Sequence, residues 1–294
     1  MLKKDTNNKP MKKLLLLFLT LFVIQGYSQV RVNKDELTDK EGTMYFNSEP
    51  FNGVAFTIYE NNQLNYEGNF KDGKRDGLAK VWNEDGQLKY LFNLKDGELD
   101  GLTKEWFENG QLRYLINFKD SINDGLMKGW FENGQLQLEK NYKDGKEDGA
   151  AKEWFENGQL KYEGNYKDGK KDGLSEQWYV NGQLFYIMNL KDGIHDGLTK
   201  TWFENGQLQL EKNFKDGKED GAAKEWFENG QLKYIINFKD GKQDGLMKIW
   251  YENGQLQVVT NFKDDIEDGV TKGWDENGEL KYIINVKDGK EVSL

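Results

Sequence analysis

The chain has 294 residues and a formal net charge of −10, with 36% hydrophobic residues, 14% aromatics, 33 glycines, two prolines and no cysteine. That balance is too polar for a thick globular core and too aromatic for a disordered chain, so a thin sheet is expected. The missing cysteine excludes disulfides and thiolate metal ligands, and the acidic charge disfavours nucleic acid and anionic membrane surfaces as partners.

Lys12 and Lys13 precede an apolar run of eleven residues, 14–24, followed by Gln25, Gly26, Tyr27 and Ser28. Gly26 and Ser28 suit cleavage before Gln29, so residues 1–28 are expected to be a signal peptide. A membrane anchor would need roughly 20 apolar residues, so no transmembrane segment is expected after leader cleavage. The expected location is the periplasm, the cell surface or the extracellular space. Met11 is an alternative start, since residues 1–10 add only a polar prefix. Loss of residues 1–28 removes five positive charges and one negative, which moves the net charge from −10 to −14.

Residues 29–52 are expected to cap the repeat array that begins at Gly53. Residues 30–41 are charged and expected to be loose, whereas residues 42–53 read as two short extended segments around a turn at Ser48 and Glu49. A repeat array leaves an unpaired strand at its end, and an atypical terminal unit protects it.

From Gly53 onward a 24-residue unit recurs without insertion or deletion, its first glycine returning at Gly77, Gly101, Gly125, Gly149, Gly173, Gly197, Gly221, Gly245 and Gly269. All nine tryptophans occupy one column, at Trp82, Trp106, Trp130, Trp154, Trp178, Trp202, Trp226, Trp250 and Trp274. Residues 53–294 are therefore read as one tandem array. Within residues 101–124, two segments of strand length flank Asn109-Gly110, a strong hairpin signal. A second turn, written KDGKEDG at residues 143–149, returns the chain to the next hairpin. No stretch between glycines is long enough for a helical stripe. The fold class is all-β: an extended, curved, single-layer antiparallel sheet of about ten hairpin repeats, twenty strands on the order of 95 Å long if flat.

Because the period is even, each column becomes a row along the protein. A type I′ turn would pair Phe107 with Leu112. A type I turn with a glycine bulge, the preferred reading, would pair Trp106 with Leu112 and collect Leu102, Trp106, Leu112, Tyr114 and Phe118 on one face. The tryptophan row, with the phenylalanines beside it, is either a packing spine or an aromatic platform for a partner. The candidate surface comprises Trp106, Trp130, Trp154, Trp178, Trp202, Trp226, Trp250, Phe107, Phe131, Phe155, Phe203 and Phe227. A variable pair in the second strand, such as Leu115-Ile116, Glu139-Lys140 and Glu163-Gly164, reflects either a patterned partner surface or tolerance to substitution. Residues 125–162 and 197–234 differ only where Met127, Gly129 and Tyr142 become Thr199, Thr201 and Phe214, so three units look copied as a block.

The pattern GLxKEWFENGQLKYxxNFKDGKxDG resembles the MORN-variant repeat, a family that includes YwqK-type antitoxins. The likeness rests on Asp148-Gly149, Asn157-Gly158, Trp154-Phe155, Leu160 and the run Asn165-Tyr166-Lys167-Asp168-Gly169. It departs locally at Asn62, Ser121, Asp265 and Glu176, which are expected to weaken individual hairpins. The resemblance implies a β-hairpin solenoid, a non-enzymatic binding or scaffold role, and immunity against a toxin. It carries no catalytic residues and no cofactor.

Catalysis has little to work with: the single histidine, His195, falls in a turn, and no nucleophile stands beside a base. Asp and Glu recur at equivalent positions, without the asymmetry of an active site. Asp168 and Asp172 flank Lys170 in a glycine-rich loop, which reads as turn chemistry rather than a calcium site. The expected function is that of an exported, non-catalytic scaffold binding another macromolecule, a protein first of all. The alternatives are a structural or adhesive envelope protein and a carbohydrate-binding surface.

Overall fold

Two turns, each demanding left-handed backbone that glycine and aspartate supply here, shape every unit into an antiparallel hairpin. In the computed structural model, which describes residues 29–293, ten such hairpins run from Gly53–Ile58 with Leu64–Lys71 to Gly269–Trp274 with Leu280–Lys287, and Lys290–Val292 follows. The expected leader, residues 1–28, lies outside the described residues. Each strand of the array pairs with its sequence neighbours antiparallel, and the added strand Arg31–Asn33 runs parallel to Gly53–Ile58. The sheet is a single, long, open layer, and no α-helix covers it among the described residues.

The Asn-Gly turn is the bulged form. Phe107 N donates to Gln111 O at 2.8 Å, Gly110 N donates to Phe107 O at 3.0 Å, and Gly110 has φ 81°. Trp106 therefore pairs with Leu112, as preferred from sequence. The Asp-Gly turn takes the type I′ form: Lys167 faces Lys170 across Asp168 and Gly169, whose φ values are 50° and 82°.

The face assignment needs correction. Beyond the Trp106–Leu112 pair the register shifts, so Glu105 faces Tyr114, Thr103 faces Ile116 and Gly101 faces Phe118. Leu102 instead faces Asn117, on the side that carries Lys104. One side thus bears small residues between tyrosines and phenylalanines, and the other bears the leucine, lysine and asparagine rows. A bulged residue reverses the alternation beyond it, which a strand pattern alone does not reveal.

A further bulge joins successive units. Ile116 faces Met127 while Phe118 faces Asn123, which leaves Asn117 opposite a looped-out Asp124-Gly125. Asn117 Nδ2 donates to the Leu126 carbonyl at 2.9 Å, and the same bond recurs from Asn69 to Leu78 at 2.7 Å and from Asn237 to Leu246 at 2.7 Å. The turns also stack laterally: Asn109 Nδ2 donates to Glu132 O at 3.0 Å, and on the opposite edge Gly145 N donates to Asn123 O at 3.0 Å. These bonds satisfy backbone groups that the bulges and turns would leave orphaned.

The departures from the repeat keep their hairpins intact. Asn62, Ser121 and Asp265 adopt φ values of 66°, 62° and 69° in place of glycine. Ser121 Oγ accepts from Leu99 N at 3.0 Å and Asp265 Oδ1 accepts from Gln243 N at 2.7 Å, bonds that glycine could not make.

Residues 30–41, expected to be loose, are ordered. Arg31–Asn33 extends the sheet, Lys34–Glu36 forms a 3₁₀ turn with an Asn33/Glu36 capping box, and Thr38–Lys40 joins Thr43–Phe46 and Glu49–Pro50 in a small sheet. The turn of that sheet sits at Asn47 and Ser48, φ 50° and 70°, one residue earlier than expected. Its underside packs the cluster Val32, Phe51, Ala55 and Phe70 against Leu37, Met44 and Phe46. Burial of a phenylalanine such as Phe51 contributes about 1.5–3 kcal/mol, which is what holds this charged segment down.

Candidate functional site

The tryptophan column ends each first strand and the phenylalanine column opens the turn, so the two form adjacent rows along one edge of the sheet. Trp106, Trp130, Trp154, Trp178, Trp202, Trp226 and Trp250 are all half-buried, as are Phe107, Phe131, Phe155, Phe203 and Phe227. Between units the rows leave a groove of about 330 Å³, bounded by Phe131, Leu138, Trp154, Phe155, Glu156 and Lys161. Tyr179 and Tyr251 continue the phenylalanine row, and their hydroxyls donate to the carbonyls of Trp202 and Trp274 at 2.9 and 3.0 Å.

On the aromatic side, the second member of the variable pair is answered from within the chain. Lys140 reaches Glu147 at 2.9 Å and Glu153 at 3.3 Å, and Lys212 pairs with Glu219. Burial opposes the Lys140 charge, but the hydrogen bonds and fields of Glu147 and Glu153 prevail and raise its pKa. Where this position is Gly68 or Gly164, the ring of Tyr66 or Tyr162 folds over it. Arg75 and Lys171 then lie 5.8 and 4.7 Å from those ring centroids. Tyr162 also accepts from Ser175 Oγ at 3.1 Å and donates to Tyr166 at 3.3 Å. Burial and then the hydrogen bond with Tyr162 push the Tyr166 pKa up. Among the described residues the buried Tyr66 hydroxyl has no hydrogen-bond partner.

On the opposite side, the first member of the pair belongs to a lysine and glutamate ladder: Lys128 to Glu139 at 2.8 Å, Lys152 to Glu163 at 2.9 Å, Lys200 to Glu211 at 2.9 Å. Hydrogen bonding from Lys200, against some burial, lowers the Glu211 pKa. Where the variable pair is charged, it is therefore answered inside the sheet, whereas Leu115 and Ile235 face lysines without an ion pair. Sequence reasoning missed this, although Lys140 with Glu147 and Lys212 with Glu219 repeat at one spacing.

His195 lies in the strand Ile194–Trp202, not in a turn, with Nδ1 3.4 Å from Thr199 Oγ1 and its ring 4.9 Å from that of Phe214. The turn aspartates have structural partners: Asp168 N donates to Asp148 Oδ2 at 3.1 Å, and Asp192 N to Asp172 Oδ2 at 3.2 Å.

The protein-family model described as "MORN repeat variant" matches residues 51–72, 75–96, 99–120, 123–144, 147–168, 196–216, 219–240, 243–264 and 267–288. The chain belongs to this family. The MORN repeat variant units coincide with nine of the ten hairpins, and the unit at 173–195, which holds Glu176, Tyr179 and Phe185, falls between matches. Among curated proteins no sequence matches the chain. Its repeat array is of the MORN type, an architecture consistent with a scaffold.

Proposed function

We propose that this chain is an exported, non-catalytic scaffold whose open sheet binds another macromolecule, a protein, and that it acts as a YwqK-type antitoxin or immunity protein. The single observation that carries the reading is the double aromatic row. Its rings stay half-buried along an edge that no second layer covers among the described residues, and large rings held rigidly at a surface are what binding hot spots use. The titratable clusters, by contrast, are engaged in pairing strands to one another. Export follows from the basic and apolar residues 12–24, so the toxin would be met outside the inner membrane.

Affinity capture from an envelope fraction of the native cells, with tagged protein beginning at Gln29, tests the reading. One polypeptide retained at near-equal stoichiometry, followed by growth rescue when the pair is co-expressed, is expected. A blank capture combined with glycan-dependent changes in tryptophan fluorescence would replace it with a carbohydrate-binding role.

A further inference from the structure

The residue after the hairpin's closing leucine sets a charge against the turn aromatic in two units. At Arg113 the guanidinium lies 5.5 Å from the centroid of Phe107, and at Lys233 the ammonium lies 5.8 Å from that of Phe227. These rings take cations. In the unit of Phe131 the same position is Gln137, and in that of Phe203 it is Gln209. Neither glutamine can deliver a charge, and among the described residues no side-chain cation stacks on Phe131 or Phe203. Gln137 instead lines the 330 Å³ groove between Phe131 and Phe155.

We propose that this groove, and its counterpart between Phe203 and Phe227, takes an arginine or lysine side chain from a basic segment of a protein partner. The inference rests on the protein-binding reading above and names the chemistry of the partner. Phe131 lines the groove with no cation of the described residues stacked on it, Trp154 and Phe155 line it too, and the exposed Glu156 supplies a carboxylate. Lys161 also lines the groove, but its ammonium is drawn towards Glu153 at 3.8 Å. A flat guanidinium between aromatic faces with a carboxylate in reach is a favourable pairing. The chain's net charge of −10 steers cationic segments towards it.

The second groove is assigned on sequence identity; there Lys233 already stands 5.8 Å from the Phe227 ring centroid, so Phe203 is the ring it leaves open. Phe203, Gln209, Trp226, Phe227, Glu228 and Lys233 reproduce Phe131, Gln137, Trp154, Phe155, Glu156 and Lys161, because both sets lie in the duplicated block. Six strands separate them, roughly 29 Å at about 4.8 Å per strand. A partner with two basic clusters would gain avidity by engaging both.

The test uses protein made from the full chain, titrated by calorimetry with the peptide Arg-Gly-Ser-Arg-Gly-Ser-Arg and with its citrulline counterpart, which keeps the shape and loses the charge. The arginine peptide is expected to bind at least about tenfold more tightly. The double variant Gln137→Lys with Gln209→Lys installs a residue that Lys161 and Lys233 already hold in neighbouring units, so the fold is expected to tolerate it. It should weaken the arginine peptide about fivefold or more by filling each slot from within. Equal affinity for the citrulline peptide, or a double variant that binds as the parent does, would overturn the proposal. So would maltohexaose binding that Phe131→Ala abolishes while the arginine peptide does not bind. A protein captured from cells that ignores both the double variant and the competing arginine peptide leaves the scaffold reading standing and sinks this one.

Discussion

Glu163 lies directly across the ladder from Glu176, where the following first strand presents a carboxylate in a row that from Lys80 onward is otherwise made of lysines. The equivalent Glu211 is flanked by Lys200 at 2.9 Å and Lys224 at 3.3 Å, while Glu163 has Lys152 at 2.9 Å on one side and the like charge on the other. Directly opposed like charges destabilise a strand pair. Glu176→Lys is expected to raise stability by about 0.5 kcal/mol, since the pair is only partly shielded from solvent. Denaturant melts at low and high salt check this, because the gain should shrink as screening rises.

Gly164 is required by its neighbours rather than by its backbone angle. A Cβ at Gly164 would lie 2.3 Å from the Tyr162 hydroxyl and 3.1 Å from Ser175 Oγ, the middle of a buried hydrogen-bonded chain that continues to Tyr166. Gly164→Ala is expected to cost about 1–3 kcal/mol through overpacking and a broken buried bond. Hydrogen exchange should localise the loss to the strands Leu160–Lys167 and Lys170–Trp178, and a melting curve unchanged from the parent would refute it.

Removal of residues 125–148, one whole unit, should leave a folded array. The strand Leu112–Lys119 would then meet the strand of Gly149 in place of that of Gly125, and Asn117 would find Ala150 O where it now finds Leu126 O. Removal of residues 125–136 should unfold the junction, because one strand lost reverses the direction of every strand beyond it. Circular dichroism with limited proteolysis separates the two outcomes.

Alkaline pH should loosen the aromatic side first. Burial, then hydrogen bonding from Tyr162, raises the Tyr166 pKa, and burial, then Glu225, raises that of Tyr234. Their contribution to stability is whole below the ordinary tyrosine value near 10 and is lost as pH climbs towards the folded values. Ultraviolet titration should show these tyrosines ionising late, together with unfolding. Glu211 acts at the other limb. Its pKa is lowered in the fold, so its stabilising effect is present above the ordinary value of 4.5 and is lost as pH falls through the folded value. Glu211→Gln should flatten that acid limb of a stability profile.

Hairpin number, turn positions and the aromatic columns were legible in the sequence because their causes are local. Gly110 and the pair Asp168-Gly169 need left-handed backbone wherever they sit, and an even period keeps Trp106 and Trp130 in one row. The sharing of faces was not legible. The register shift beside Trp106 reverses the alternation and the looped-out Asp124-Gly125 interrupts the ladder, and a bulge forms only when the partner strand supplies groups, such as the Asn117 amide and Leu126 carbonyl, to hold it. The order of residues 30–41 likewise depends on Phe51, Ala55 and Phe70 offering Val32 a place to bury. The variable column meant little along the chain, and its meaning as an internal ladder appeared only where Lys140 met Glu147 and Glu153. Turn chemistry acts between neighbours in sequence, whereas burial and charge pairing act between neighbours in space, and the folded sheet alone brings those together.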